Sequence, residues 1–394
     1  RRDIEAATIG SVLVFANPNS GSGNALRTFR ERLEPQLRKN HIEFELIITN
    51  GSSHAKSVIR SYNDLGKFNG IVILSGDGLV SEVLNGLVER EDRTSIVPSM
   101  PIGVVPCGSG NGLLSSLFFS QNEPLVNPKF TNRAIEVCCS PESRAQPVNL
   151  LHVQTDKENI ASFLSIGWGL IADIDIESEQ WRQLLGSSRF VVGSLIRALK
   201  LRTYRGRLSY KPYVPGKQDV EEKYDIYGKT TGERMMNFSS TCHREPIDSS
   251  HRVLDDAWRS LQTEKVVDVE KDVSDDWIQL EDEFVSVYAV TLSHISSNAP
   301  FVPQARLNDD RIYLTYILRK DIPSRLSLIK FLIAIESQKH LKMPFVKVVE
   351  VGAFRLEPLV SGSYIVVDGE VVEATKIQAV TSTLKMAFCT LAGK

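Results

Sequence analysis

Up to about residue 140 the sequence repeats one pattern four times: a short β-branched, apolar run, a polar turn, then apolar residues at helical spacing. The apolar runs span 11–16, 44–49, 70–74 and 102–106, and the helical patterns 25–37, 54–61, 81–88 and 112–118. Strands separated by helices pair most readily as parallel neighbours with the helices on the sheet faces, so the pattern predicts an α/β domain around a parallel sheet. Ligands of such sheets bind beyond the carboxyl ends of the strands, where turns enter helices. Those four turns are where chemistry is expected.

From about Pro147 strand-like runs follow one another without a helix after each: 148–154, 162–168, 207–212, 284–292, 312–318, 346–356, 364–372 and 376–381. This predicts a second, mainly antiparallel β-sandwich domain. Two helices interrupt it, over 174–201 with a break near 186–188, and over 324–336. Residues 213–280 combine Pro, Gly, Ser and charged clusters without a convincing period, and are expected to form a mobile insertion. The expected domains are thus 11–146 and 147–394. A chain of 394 residues with 42% hydrophobic content can bury two such cores.

Lys+Arg 46 against Asp+Glu 48 leaves a formal charge of -2, without the basic excess that draws a protein onto nucleic acid. Five cysteines, Cys107, Cys138, Cys139, Cys242 and Cys389, show no CxxC spacing and read as reduced structural thiols, which points to the cytosol. The apolar stretch 161–176 is interrupted by Asp173 and Asp175 and falls short of the ~20 residues of a membrane span. The chain opens on Arg1 rather than Met, which reads as a trimmed start.

Three of the four turns are rich in glycine. The first is Asn17-Pro18-Asn19-Ser20-Gly21-Ser22-Gly23-Asn24; glycine lets backbone N–H groups approach a phosphate, and the following helix adds positive partial charge. It lacks the Gly-Lys-Ser/Thr ending of a Walker loop and the third glycine of the dinucleotide fingerprint. The third strand ends in Ser75-Gly76-Asp77-Gly78, with Glu82 about one turn into the next helix. Asp77 either presents a carboxylate to the functional edge or caps its helix. The fourth strand ends in Cys107-Gly108-Ser109-Gly110-Asn111. Glycine turns at several strand ends together point to nucleotide phosphates.

With these motifs the chain resembles the lipid-kinase family of diacylglycerol, ceramide and sphingosine kinases. Residues 165–179, 201–208, 354–358 and 367–370 are similar to sphingosine kinases in particular, and the resemblance runs from Ser11 to Glu370 apart from the insertion. It implies an ATP- and Mg²⁺-dependent kinase that phosphorylates the primary hydroxyl of a sphingoid base, in a cleft between a nucleotide domain and a lipid domain. Asp77 would be the general base, with Ser75, Gly76, Gly78, Ser165 and Asp175 on the lipid. The nucleotide would meet Asn17, Pro18, Asn19, the run Thr49, Asn50, Gly51, Ser52, Ser53, then Glu82, Gly108, Ser109 and Gly110. Arg182, Arg189, Asp368, Gly369 and Glu370 would complete its site, and no metal ligand is assigned.

The first loop lacks the basic residues common in the family, and Ser81 stands where sphingosine kinases commonly carry His, a small residue there being similar to ceramide kinases. Ceramide kinase, diacylglycerol kinase and a catalytically weak lipid-binding scaffold therefore remain alternatives. Arg182 and Arg189, seven apart, share a face only if their helix is continuous; otherwise they are surface arginines. Residues 189–205 form a basic amphipathic pattern that either binds a membrane or a calmodulin-like protein, or buries its apolar face in its own domain. The apolar run 326–335 is a candidate wall of a lipid cavity. His54 and His294 have no metal-ligand spacing and read as structural or solvent-facing. The expected location is cytoplasmic, with peripheral recruitment to membranes.

Overall fold

The computed structural model describes residues 7–178, 193, 196, 200–215, 223–229, 231–239, 256 and 258–391. The chain divides into two compact units, one of 1–148, 220–247 and 384–394, the other of 149–219 and 248–383.

The first unit is built on a seven-stranded sheet. Its parallel part comprises the strands Gly10–Ala16, Ile42–Ile48, Gly70–Ser75 and Ile102–Pro106. Gly70–Ser75 is buried at every position and Gly10–Ala16 at five of seven, as expected of strands covered on both faces. Gly10–Ala16 lies between Ile42–Ile48 and Gly70–Ser75, with Val14 opposite both Leu46 and Val72. The chain therefore leaves Gly10–Ala16 to one side and returns on the other, and the crevice at such a reversal is where open α/β sheets take ligands.

The sheet is completed by strands that sequence periodicity does not assign to it. Met386–Leu391 joins Ile102–Pro106 in parallel at Phe388–Ile102 and pairs antiparallel with Ser143–Val148, which pairs in turn with Tyr224–Asp225. The expected strand over 148–154 is two strands, Ser143–Val148 in the first unit and Leu151–Thr155 in the second. Cys138, Cys139 and Cys389 are buried free thiols, and burial pushes Cys139 and Cys389 up to about 12.

The second unit carries a ten-stranded antiparallel sheet that closes on itself. The 13-residue strands Ile278–Val290 and Val346–Pro358 each pair with Ile312–Leu318 along one half and with Tyr204–Pro212 along the other. The ring so formed encloses a core that includes Trp168, Phe284 and Phe354. A second apolar cluster joins Leu170 and Ile174 to Tyr288, Phe301, Leu328 and Phe331.

Within the stretch 213–280, where a mobile insertion is expected, several described residues are packed, some in each unit. In the first, Ile226 and Tyr227 are buried and the helix Thr231–Ser239 carries a buried Arg234. Its guanidinium donates to the carbonyls of Ser99, Ile226, Lys229 and Asn69 and to Thr231 Oγ1. In the second, Trp258 stacks on His152 at 4.8 Å, and Arg355 donates to the carbonyls of Asp268 and Lys271. One tryptophan or one arginine can hold a polar stretch that has no periodicity of its own.

Candidate functional site

The strand ends Ala16, Ser75 and Pro106 are adjacent in the sheet, so their three glycine loops meet. Ser20 and Ser75 hydroxyls hydrogen-bond at 3.0 Å, and Cys107 N donates to the Ser75 carbonyl at 3.1 Å. A Cβ added at Gly108 would stand 2.7 Å from Gly76 N and 2.8 Å from Gly76 Cα. Glycine is needed here because two backbones touch. The expected outcome of Gly108→Ala is a loss of about 1–3 kcal/mol of stability from overpacking, with weaker ATP binding. Thermal melts and nucleotide titration calorimetry check it; unchanged values in both would mean that the loops need not touch.

Asp77 opens the helix Asp77–Val88 and is only 8% exposed. Its carboxylate caps a different helix from its own: Oδ2 accepts Gly112 N at 2.6 Å and Oδ1 accepts Leu113 N at 3.2 Å, at the start of the helix Gly112–Ser120. Asp77 N in turn donates to the Gly110 carbonyl at 3.1 Å. A Cβ at Gly110 would lie 3.6 Å from Asp77 Oδ2, so the glycine leaves that side of the carboxylate clear. The carboxylate is thus fixed by a helix N-terminus, which favours its charged form electrostatically. Sequence reasoning missed Gly112 and Leu113 as its partners, because the contact joins consecutive βα turns.

Thr49 is buried, its N–H on the Ala16 carbonyl, while Asn50, Gly51, Ser52 and Ser53 are exposed. Burial raises the Glu82 pKa, and the nearby backbone N–H groups of Ser53, Ala55 and Lys56 oppose the rise. Glu82 Oε2 is buried without a hydrogen-bond partner. Glu82 of the Asp77 helix thus lies near the end of the second turn. Asn17 folds its own loop, accepting Asn19 N at 2.9 Å on its side-chain oxygen, and Pro18 and Ser109 are half-buried.

In the second unit, Gly169 at φ +85° turns the strand Ser165–Gly169 directly into the helix Leu170–Ser178. The helix starts four residues before the expected 174, so Asp173, not Asp175, is the acid of its first turn. Asp173 is buried and accepts from Tyr204 Oη at 2.7 Å, whereas Asp175 is half-buried. A helix dipole acts within the first turn, so it does not account for an acid at 175.

The expected strands 162–168 and 364–372 are both broken, and one residue links the breaks. Asp368, at φ +49°, is followed by Gly369 at φ +88° in a two-residue hairpin between Ile365–Val367 and Glu370–Val372. Its buried carboxylate accepts Ser162 Oγ at 2.8 Å and the N–H groups of Phe163, Leu164 and Ser165 at 3.1, 2.9 and 3.0 Å. Burial raises the Asp368 pKa against these four donors. The four donors to the Asp368 side chain come from the turn at 162–165. Gly369 stands beside Asp175, with a Cβ position 3.9 Å from Asp175 Oδ2, and Glu370 is exposed. Ser165 also accepts from Tyr288 Oη at 3.1 Å, a partner for which the sequence carries no signal. Arg182, Arg189 and most of 189–205 lie outside the described residues.

Residues 11–146 match the model of the diacylglycerol kinase catalytic domain. Over 378 residues the chain is 46% identical to Sphingosine kinase 1 of Caenorhabditis elegans, covering 95% of this chain and 80% of the relative. It is 34% identical to Sphingosine kinase 1 of Homo sapiens over 372 residues, 93% of this chain and 87% of that one. The crystal structure of a putative diacylglycerol kinase from Bacillus anthracis str. Sterne aligns over 98% of both chains with a TM-score of 0.61 at 14% identity, a likeness of fold alone.

Proposed function

Because the chain belongs to the sphingosine kinase family, we propose that it transfers the γ-phosphoryl group of ATP to the primary hydroxyl of a sphingoid base such as sphingosine. The observation that carries this reading is the carboxylate of Asp77, anchored on a helix N-terminus where three glycine loops meet. Phosphoryl transfer asks a protein mainly for positioning and charge stabilisation, plus a carboxylate to accept the hydroxyl proton. Asp77 is that base, with Ser75, Gly76 and Gly78 beside it. Asn17 to Asn19, Thr49 to Ser53, Glu82 and Gly108 to Gly110 receive the nucleotide. Without a cation in the first loop, its phosphates rely on backbone N–H groups and helix N-termini, joined by Arg182 and Arg189.

Mg²⁺ would enter carried on the nucleotide. Among the described residues no three His, Cys, Asp or Glu side chains converge, and Mg²⁺ commonly takes most of its oxygens from phosphates and water. The ion supplies neutralisation of the phosphate charge; no protein ligand is assigned to it. Among the described residues no helix is long and apolar enough to cross a membrane, and the buried thiols suit a cytoplasmic enzyme recruited to membranes. A calmodulin-like partner at 189–205 remains part of this proposal.

Asp175, with Ser165, receives the protonated amine of the head group. A charge-assisted hydrogen bond is worth ~1.5–3 kcal/mol, about ten- to a hundredfold in affinity. Asp175→Asn should raise KM for sphingosine by that factor while leaving KM for ATP and the melting temperature nearly unchanged, and should spare a neutral N-acylated analogue. Steady-state kinetics on both lipids decide it. Equal loss on charged and neutral lipids would remove Asp175 from amine recognition.

A further inference from the structure

The helix Arg325–Ala334 has two unlike faces. Leu328 and Phe331 are buried in the apolar cluster that also holds Leu170 and Ile174 of the Asp175 helix. On the opposite side Leu326 is 66% and Ile333 71% exposed, so the apolar run 326–335 is only in part an inner wall. Lys330 is exposed and lies four residues after Leu326 and three before Ile333, which places all three side by side on one face. Half-buried Ile329 joins them. Single exposed leucines are ordinary, but large apolar side chains grouped on one helix face mark an interaction surface.

The charge around this face identifies its partner. Residues 319–342 hold six basic side chains, Arg319, Lys320, Arg325, Lys330, Lys339 and Lys342, against two acidic ones, Asp321 and Glu336, and Lys320 is paired with Asp282. With the Lys320–Asp282 pair neutral, the segment keeps a surplus of three positive charges in a chain whose net charge is -2. An apolar stripe within a basic field is complementary to an anionic bilayer: the apolar side chains enter the headgroup–acyl boundary while the cations meet lipid phosphates.

We propose that the Leu326–Lys330–Ile333 face docks this enzyme on anionic lipid membranes. The proposal deepens the sphingoid-base reading and rests on it for its purpose. A long-chain base resides in a bilayer, and the inner face of the docked helix is the wall of the apolar cluster beside the Asp175 helix.

The test is sedimentation of the full chain with phosphatidylcholine vesicles, with or without phosphatidylserine. The wild type should bind the phosphatidylserine vesicles, more weakly as salt rises. The double variant Leu326→Glu/Ile333→Glu should bind them at least about tenfold more weakly, because charges cannot enter the boundary. Phosphorylation of sphingosine in detergent micelles and the melting temperature should stay as in wild type. Equal vesicle binding by variant and wild type would overturn the proposal, as would a wild-type dimer that the variant converts to monomer, which would make the face a contact between copies. Vesicle binding that depends on Leu326 and Ile333, in a chain that phosphorylates no sphingoid base, would uphold the docking face and overturn the kinase reading.

Discussion

Asp77→Asn should lower kcat by about 10²- to 10⁴-fold, the usual cost of removing a general base. The substitution also touches the fold. Gly112 N and Leu113 N each donate to a different carboxylate oxygen, and an amide offers one acceptor and one donor group in the same places. One N–H then loses its partner and faces another donor, at a cost of about 1–3 kcal/mol. The variant should therefore melt at a lower temperature yet remain folded at assay temperature, and should still bind ATP. Turnover at saturating substrates, nucleotide titration and a thermal melt on the same preparation separate the two effects. Near-normal kcat would mean that the carboxylate serves only to cap the helix Gly112–Ser120.

Arg234→Ala should destabilise the first unit by about 3–5 kcal/mol, because removing one member of a buried polar network strands the others. The guanidinium satisfies carbonyls from three stretches, Asn69, Ser99 and the segment Ile226 to Lys229. Asn69 adds to the same network, donating to the Ile226 and Lys229 carbonyls while accepting Ser11 N. Burial lowers the arginine's pKa, and its ring neighbour Tyr224 lies 5.3 Å away. At ~2–4 °C per kcal/mol the melting transition should fall by roughly 6–20 °C. Calorimetry of the wild type and the variant checks this. A fall of a degree or two would mean that residues 226–234 are as dispensable as their composition suggests.

These two residues mark what the sequence makes legible. The four parallel strands and their glycine turns could be read because each is local: a buried β-branched run has one sheet environment, and a turn that contacts phosphate shows its glycines in a row. The position of Asp77 followed from the same logic. Its partners did not, because Gly112 lies 35 residues away and backbone N–H groups leave no mark in a sequence. Arg234 looks like one more surface cation, and only the fold of 226–234 reveals that it is an anchor.

The second unit was harder to read, since its strands are joined by long-range closure. Trp168 requires Gly206, where an added Cβ would lie 2.6 Å from the indole ring, and Asp368 breaks the run at 162–165 from more than 200 residues away. One missed feature did carry a local signal: Asp368-Gly369 between apolar residues is a two-residue hairpin sequence, not the middle of a strand. Met386–Leu391 illustrates the opposite case, a plain apolar strand whose sequence cannot say which of two sheets it joins.

The most direct measurement of the central claim is transfer of label from γ-labelled ATP by the wild-type chain to sphingosine, ceramide and diacylglycerol, compared at equal concentration in micelles. The account predicts label on the primary hydroxyl of sphingosine, with the two neutral lipids slower by about tenfold or more, the scale of one charge-assisted contact. Equal or greater labelling of ceramide or diacylglycerol, or no labelling of any lipid, would contradict it.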